Sequence, residues 1–318
     1  MANEEKAAIQ GIGLVLNFVD VTVTLPVEVL PGCIFRRATD GEVESFKRFF
    51  LCHGDRGRRA ITMLQSDPPQ SYGQNWQPLD RRQWRYWVIE TTRGNGLMEV
   101  GMASHLTHVE LRCDRFFINL PTPERMEAAG QLSGNPLCVF SLFGLPQPLR
   151  LDKAVLEDIR QTGESLAKLD TERHKPIRAT IEMNYSLADM GFFDQGSGEV
   201  RLFVLGLFGV IESLITHSPK AGHDSLTHQI KTKMNLLNRR FDEPLDYSCF
   251  DDGPPDTLWS RLYSYRSAIA HGGQADFGGK HQVLKDERTV TTFLRYTAKA
   301  LLRYALREPD LVLDLRAC

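Results

Sequence analysis

The sequence predicts an α+β fold: a β-rich module over residues 1–150, then an all-α helical bundle over residues 151–318. Two observations carry that prediction. The first part holds β-branched and aromatic runs set off by Gly, Pro and Asn, the composition of strands joined by turns. From Leu151 onward, apolar residues recur every three or four positions, which marks helices with one buried face. Pro146 and Pro148 punctuate the chain just before the change. An apolar content of 42% in 318 residues is enough for two cores of ordinary size.

In the first module, the runs 14–19, 21–25, 85–90 and 137–140 read as strands. One helix is expected among them, over 40–50, with a cap at its start and apolar residues on one side. In the second part the expected helices are 152–169, 176–190, 200–216, 224–240, 256–271 and 286–307. Pro176 suits a first helical turn. Asp224, Asp256 and Asp286 suit N-caps, because a carboxylate accepts hydrogen bonds from free first-turn amides. The segment 241–255 holds Pro244, Gly253, Pro254 and Pro255 and cannot be helical throughout.

Composition removes several function classes. Charged residues make up 25% with a formal net charge of -2, so any RNA binding must use a local basic patch rather than the overall field. The six cysteines show no Cys-x2-Cys pair, which reads as a reduced, cytosolic chain. The first residues lack a basic stretch followed by an apolar core, so a soluble, cytoplasmic protein with no membrane partner is expected. A Gly-x4-Gly-Lys-Ser/Thr loop is absent, which argues against an NTPase. A Gly-x-Ser-x-Gly elbow is absent too. His105, His108 and Cys113 lack a fourth ligand at a recognisable spacing, so neither a metal nor another cofactor is expected.

The richest stretch runs from Ser260 to Gly273. Leu258, Leu262, Tyr265 and Ile269 give one buried face, and Gly272 supplies a left-handed C-cap. Arg266 and His271 therefore stand at the exit of a packed helix. A fixed cation beside an imidazole suits a phosphodiester. An imidazole changes charge near pH ~6.5. A guanidinium stays charged and offers two parallel N–H groups to phosphate oxygens. Upstream, Arg201 to Thr216 is an apolar helix carrying one carboxylate, Glu212, which must be paired or neutralised if buried.

Arg266-x4-His271-Gly272, preceded by Leu-Tyr-Ser-Tyr and combined with the Glu212 helix, resembles the Arg-x(4–6)-His motif of HEPN domains. It is most similar to the Apea-like branch, over roughly residues 150–307. The resemblance implies an all-α HEPN-like bundle acting as a metal-independent endoribonuclease. Arg266 and His271 would be catalytic and Glu212 supporting, with attack by the ribose 2′-hydroxyl. It also implies a homodimer with a composite site, a toxin or anti-phage defence role, and an activating or inhibitory partner. Ser267 departs from the Asn or Asp that many members carry after the arginine. On an α-helix, positions five apart point about 140° from each other, so one chain does not converge both groups unless the helix loosens.

Other residues extend the picture. Tyr263 and Ser267 are candidate substrate contacts beside the motif, and Lys231, Lys233, Arg239 and Arg240 are a candidate phosphate track. The acids of 242–256 could guard the cleft. His217, His223 and His228, around a helix–helix loop, read as solvent-facing side chains. Arg81 to Trp87 alternates basic and aromatic residues, which suits either single-stranded nucleic acid or an ordinary strand with core tryptophans. The first module would be a sensor or specificity unit. A non-catalytic reading stays open: Arg266 salt-bridged to Glu212 or to a loop acid, His271 a helix cap, and the bundle a dimerisation or interaction scaffold.

Overall fold

The computed structural model describes residues 11–15, 19–52, 54–67, 75–111, 113, 115–118, 127–129, 149–190, 197–219, 224–250 and 253–318. It is an α+β chain that divides into two units between Glu164 and Ser165.

The first unit carries strands β1 (Gly11–Leu14), β2 (Val19–Val21), β3 (Val27–Leu30), β4 (Cys33–Arg37), β5 (Ser66–Asp67), β6 (Gln77–Pro78), β7 (Trp87–Thr91), β8 (Arg115–Ile118), β9 (Glu127–Ala129) and β10 (Leu149–Leu151). Six of them form one antiparallel sheet in the order β3-β4-β7-β1-β8-β9, with Leu14 opposite Val88 on one side and Arg115 on the other. β10 pairs with β2 in parallel. The expected strand 21–25 is shorter than its composition suggested: β2 stops at Val21 and pairing resumes at Val27, after Pro26. Proline cannot donate to a ladder, so pairing resumes only beyond it. The expected strand 85–90 begins at Trp87, and 137–140 lies outside the described residues.

Among the described residues three helices accompany this sheet where one was expected: α1 (Asp40–Leu51), α2 (Gly54–Gln65) and α3 (Gly96–His105). Phe46 and Phe50 of α1 and Leu64 of α2 bury against Ile12, Leu14, Tyr86 and Val88. Thr39 and Glu42 close a capping box at the start of α1. Arg36 then locks Glu42 in place: Nη1 and Nη2 each donate to its carboxylate at 2.8 Å, while Nε donates to Glu90 at 2.7 Å.

This network makes an acid-stability prediction. Burial alone would raise the Glu42 carboxyl, but the bonds from Arg36 and the Thr39 N–H outweigh it and hold the group below its ordinary value. A depressed carboxyl contributes stability that is fully present above its unfolded pKa and is lost as pH falls through the folded one. Melting temperature of the full chain should therefore fall as pH drops from about 5 toward 3. Glu42→Gln should flatten part of that slope; an unchanged slope would remove Glu42 from the account.

The second unit follows α4 (Lys153–Ala167), the helix in which the division lies, and contains α5 (Lys175–Met190), α6 (Ser197–Ile215), α7 (Leu226–Asn238), α8 (Pro255–Ala270), α9 (Glu287–Arg307) and α10 (Pro309–Ala317). α6 is apolar on nearly every side and packs against α5, α7, α8, α9 and α10. Phe203, Val204, Leu207, Phe208, Val210, Ile211 and Leu214 are buried along it, as a helix without a polar face requires. Among the described residues no helix is long and apolar enough to cross a membrane.

Two N-caps differ from expectation. Ser225, not Asp224, caps α7 by accepting from the His228 N–H at 3.2 Å. Asp224 instead accepts at 2.9 Å from His217 Nε2, whose Nδ1 lies 3.1 Å from the Arg316 carbonyl of α10. His217 is thus held between Asp224 and α10 rather than facing solvent; His228 is exposed and His223 lies outside the described residues. α8 starts at Pro255 behind Pro254, one residue ahead of Asp256. Proline fits the first helical position because the N–H it lacks would have had no partner there. Asp286 does cap α9, accepting from the Thr289 N–H at 2.7 Å.

Candidate functional site

The site is built on the C-terminal half of α8. Leu258, Trp259, Leu262, Tyr265 and Ile269 fix one face in the core. The helix then stops in a Schellman turn. The Gly273 N–H donates to the Ala268 carbonyl at 2.9 Å, the Gly272 N–H donates to the Ile269 carbonyl at 3.1 Å, and Gly272 holds φ +74°. His271 is the residue just before that turn, at φ -94°, and its imidazole is exposed with no hydrogen-bond partner among the described residues.

Arg266 faces the other way, onto α6. Its Nη2 donates to Glu212 Oε2 at 3.1 Å, and Nε stands 3.1 Å from Oε1 with its N–H aimed off the line. Nη1 has no hydrogen-bond partner among the described residues. The Glu212 side chain is only 16% exposed. Burial pushes its carboxyl up, and Arg266 pulls back against that shift. The guanidinium also lies 5.7 Å from the Tyr263 ring centroid, and Phe208 packs edge-on against that ring at 6.3 Å. Burial raises the Tyr263 phenol, and Glu212 adds to the rise.

A cleft of about 560 Å³ opens beside the helix. Thr227, Ser260, Ser264, Ser267, His271 and Lys280 line it, together with Tyr263. The helix thus separates the pair as the 140° argument requires: His271 lines the cleft and Arg266 does not. Tyr263 touches both, since its ring lines the cleft and also neighbours the guanidinium. Ser267 lines the cleft and makes no side-chain hydrogen bond among the described residues.

The four basic residues of the second candidate set do not form one track. Lys231 stands 3.8 Å from Asp256, Lys233 is buried, and Arg239 and Arg240 are exposed beyond the end of α7. None of the four lines the cleft. Of the loop acids, Asp242 pairs with Arg307, Asp246 accepts from the Ser248 N–H at 2.9 Å, Asp256 accepts from Asn235, and Glu243 is exposed. Asp251 and Asp252 lie outside the described residues.

Sequence reasoning missed Lys280 and His281. His281 is 2% exposed, lies 3.4 Å from Ser264 Oγ through Nε2, and packs edge-on against Tyr265.

The basic-aromatic run of the first unit is occupied by its own chain. Lys47 and Arg81 each lie 5.7 Å from the Trp84 ring, and Arg37 lies 4.6 Å from that of Trp87. Tyr86 and Trp87 are buried. Trp84 is half-buried between those cations, so the run reads as a packed segment of its own unit. His105 is buried beside Glu110 at 3.2 Å while His108 is exposed. Among the described residues no group of three or more His, Cys, Asp or Glu side chains is placed to share a metal ion.

No family model matches the chain, and neither a curated protein nor a solved structure matches it.

Proposed function

We propose that this chain is a metal-independent endoribonuclease of the HEPN type, working as a homodimer. The observation that supports it most is the division of labour at the end of α8. Glu212 holds the Arg266 fork and leaves Nη1 open, while the His271 imidazole stands free beside a hydroxyl-lined cleft. His271 would take the proton of the ribose 2′-hydroxyl as that oxygen attacks the adjacent phosphorus. The 5′-oxygen then leaves with a proton from a second imidazole, giving a 2′,3′-cyclic phosphate and a 5′-hydroxyl. Arg266 would place positive charge on the non-bridging oxygens, where charge develops in the transition state. Because Arg266 is absent from the cleft of its own chain, the reading calls for a second copy to bring its helix end to the same phosphate.

The Arg266–Glu212 ion pair also favours a second reading, a non-catalytic dimerisation scaffold, since that pair is what a structural role would produce. Incubation of the full chain with mixed single-stranded and structured RNAs in EDTA separates the two. Cleavage leaving cyclic-phosphate ends supports the nuclease; intact RNA with a dimer in solution supports the scaffold.

A further inference from the structure

We propose that Ser264, Lys280 and the buried His281 form a phosphoryl-oxygen subsite in the cleft, distinct from the Arg266–His271 pair. The inference rests on the reading of this cleft as a phosphodiester site, and it adds three residues that the motif does not contain.

The tautomer of His281 decides the argument. Its Nδ1 accepts from the Asp276 backbone N–H at 3.3 Å, so the ring proton sits on Nε2. Burial lowers the imidazolium pKa, and Lys280 adds to that, which keeps the ring neutral. Nε2–H then donates to Ser264 Oγ. A serine that accepts at its oxygen keeps its own proton to direct elsewhere. In a helix, the usual destination is the carbonyl four residues back, as for Ser260, Ser186, Thr291 and Thr297. Ser264 makes no such bond among the described residues. Its proton therefore has the cleft as its remaining destination, with the oxygen lone pair held by a buried ring. Polarisation along the N–H to O–H chain strengthens the terminal donor.

Lys280 supplies charge. Its side chain lines the same cleft, and its ammonium makes no ion pair among the described residues. Nearby, Asp276 is occupied by backbone: its Oδ2 accepts from the Lys280 N–H at 3.3 Å. A hydroxyl donor, a compact cation and no unengaged carboxylate in the cleft wall favour an anion with several oxygens. A neutral ligand would leave the lysine unanswered. The shared chemistry is a phosphoryl group, carried either by an RNA strand or by a free nucleotide. His281 acts through Ser264 and is a positioning residue.

The test titrates the full chain with inorganic phosphate, read by ³¹P line broadening. Wild type should bind, and Ser264→Ala and Lys280→Ala should each weaken binding about tenfold, as loss of one donor to a charged oxygen does. Alanine is the better helix former, so Ser264→Ala leaves the fold intact. His281→Gln keeps a donor near the Nε2 position and should recover binding that His281→Ala loses. Absence of phosphate binding in wild type, or binding that Ser264→Ala leaves unchanged, overturns the subsite. A parallel assay with adenosine 3′-monophosphate and a 2′-O-methyl RNA separates nucleotide from strand. RNA cleavage measured beside it keeps the two claims apart. A chain that cleaves RNA but ignores Ser264 retains the nuclease and loses the subsite; one that binds phosphate through Ser264 but cleaves nothing does the reverse.

Discussion

His271→Ala is expected to lower metal-independent RNA cleavage by about 10²–10⁴-fold, the usual contribution of a positioned acid or base. The same variant should melt within about 0.5 kcal/mol of wild type. The structural reason is that the fold uses only the backbone of this residue. The Schellman turn is closed by the Gly272 and Gly273 amides, and the His271 N–H reaches the Ser267 carbonyl at 3.2 Å whatever side chain follows. Arg266→Ala should behave differently. It strands a Glu212 carboxylate that is mostly buried, so a loss of about 1–2 kcal/mol is expected, below the full cost of breaking a deeply buried pair because Arg266 is 30% exposed. The double variant Arg266→Ala/Glu212→Gln should recover much of that loss, since the two groups answer each other. Arg266→Lys keeps the charge without the planar fork and should preserve the fold while cleavage falls. Undiminished cleavage by His271→Ala would place the chemistry elsewhere on the molecule.

That contrast changes what a melting experiment can decide. An arginine engaged only by substrate would be removable without cost, and a structural one would not. Here Arg266 is held by Glu212, so its removal costs stability under either reading. His271 is the residue whose removal separates function from fold.

α8 and α9 could be read from sequence because each has one unbroken apolar stripe. Leu258 to Ile269 on α8 and Val290 to Leu302 on α9 recur at helical spacing and are buried as that spacing requires. α2 and α3 escaped for different reasons: the apolar stripe of α2, Ala60, Met63 and Leu64, is short and follows Arg56, Arg58 and Arg59, while α3 is apolar on almost every position and offers no polar side to count against. α10 begins at Pro309, directly after α9, and lay beyond the last expected helix, which ended at 307. The Glu212–Arg266 pair was within reach, because one carboxylate in an apolar helix demands a partner and the motif arginine lay on a neighbouring helix. His281 was not, since its partner Ser264 is 17 positions away and a loop brings them together. Local periodicity says nothing about such a return. The basic set on α7 failed for a related reason: positions 231, 233, 239 and 240 share a sign but not a helix face, and one of them is buried.

Trp259→Ala is expected to cost about 3–5 kcal/mol, the range for truncating a large buried aromatic. Its indole is fully buried and sits 5.8 Å from Phe293 of α9. Phe250 and Tyr247 close on the same phenylalanine at 5.0 and 5.3 Å. Three aromatic rings from the 247–259 stretch thus converge on one ring of α9, and that cluster holds the start of α8 and the loop before it. The indole N–H also donates to the Tyr247 hydroxyl at 3.1 Å, which gives the half-buried phenol a partner. Alanine removes the ring and the donor together and leaves a void that backbone on both sides resists filling. Trp259→Phe separates the two contributions: it keeps a ring against Phe293, loses the donor, and should cost about 1–2 kcal/mol. Chemical denaturation of the full chain measures both. A cost under about 1 kcal/mol for the alanine variant would mean that the cluster does not anchor α8. If it does, residual cleavage by Trp259→Ala should track its folded fraction as denaturant is added, with the rate per folded molecule unchanged, because Trp259 faces the core while His271 faces the cleft.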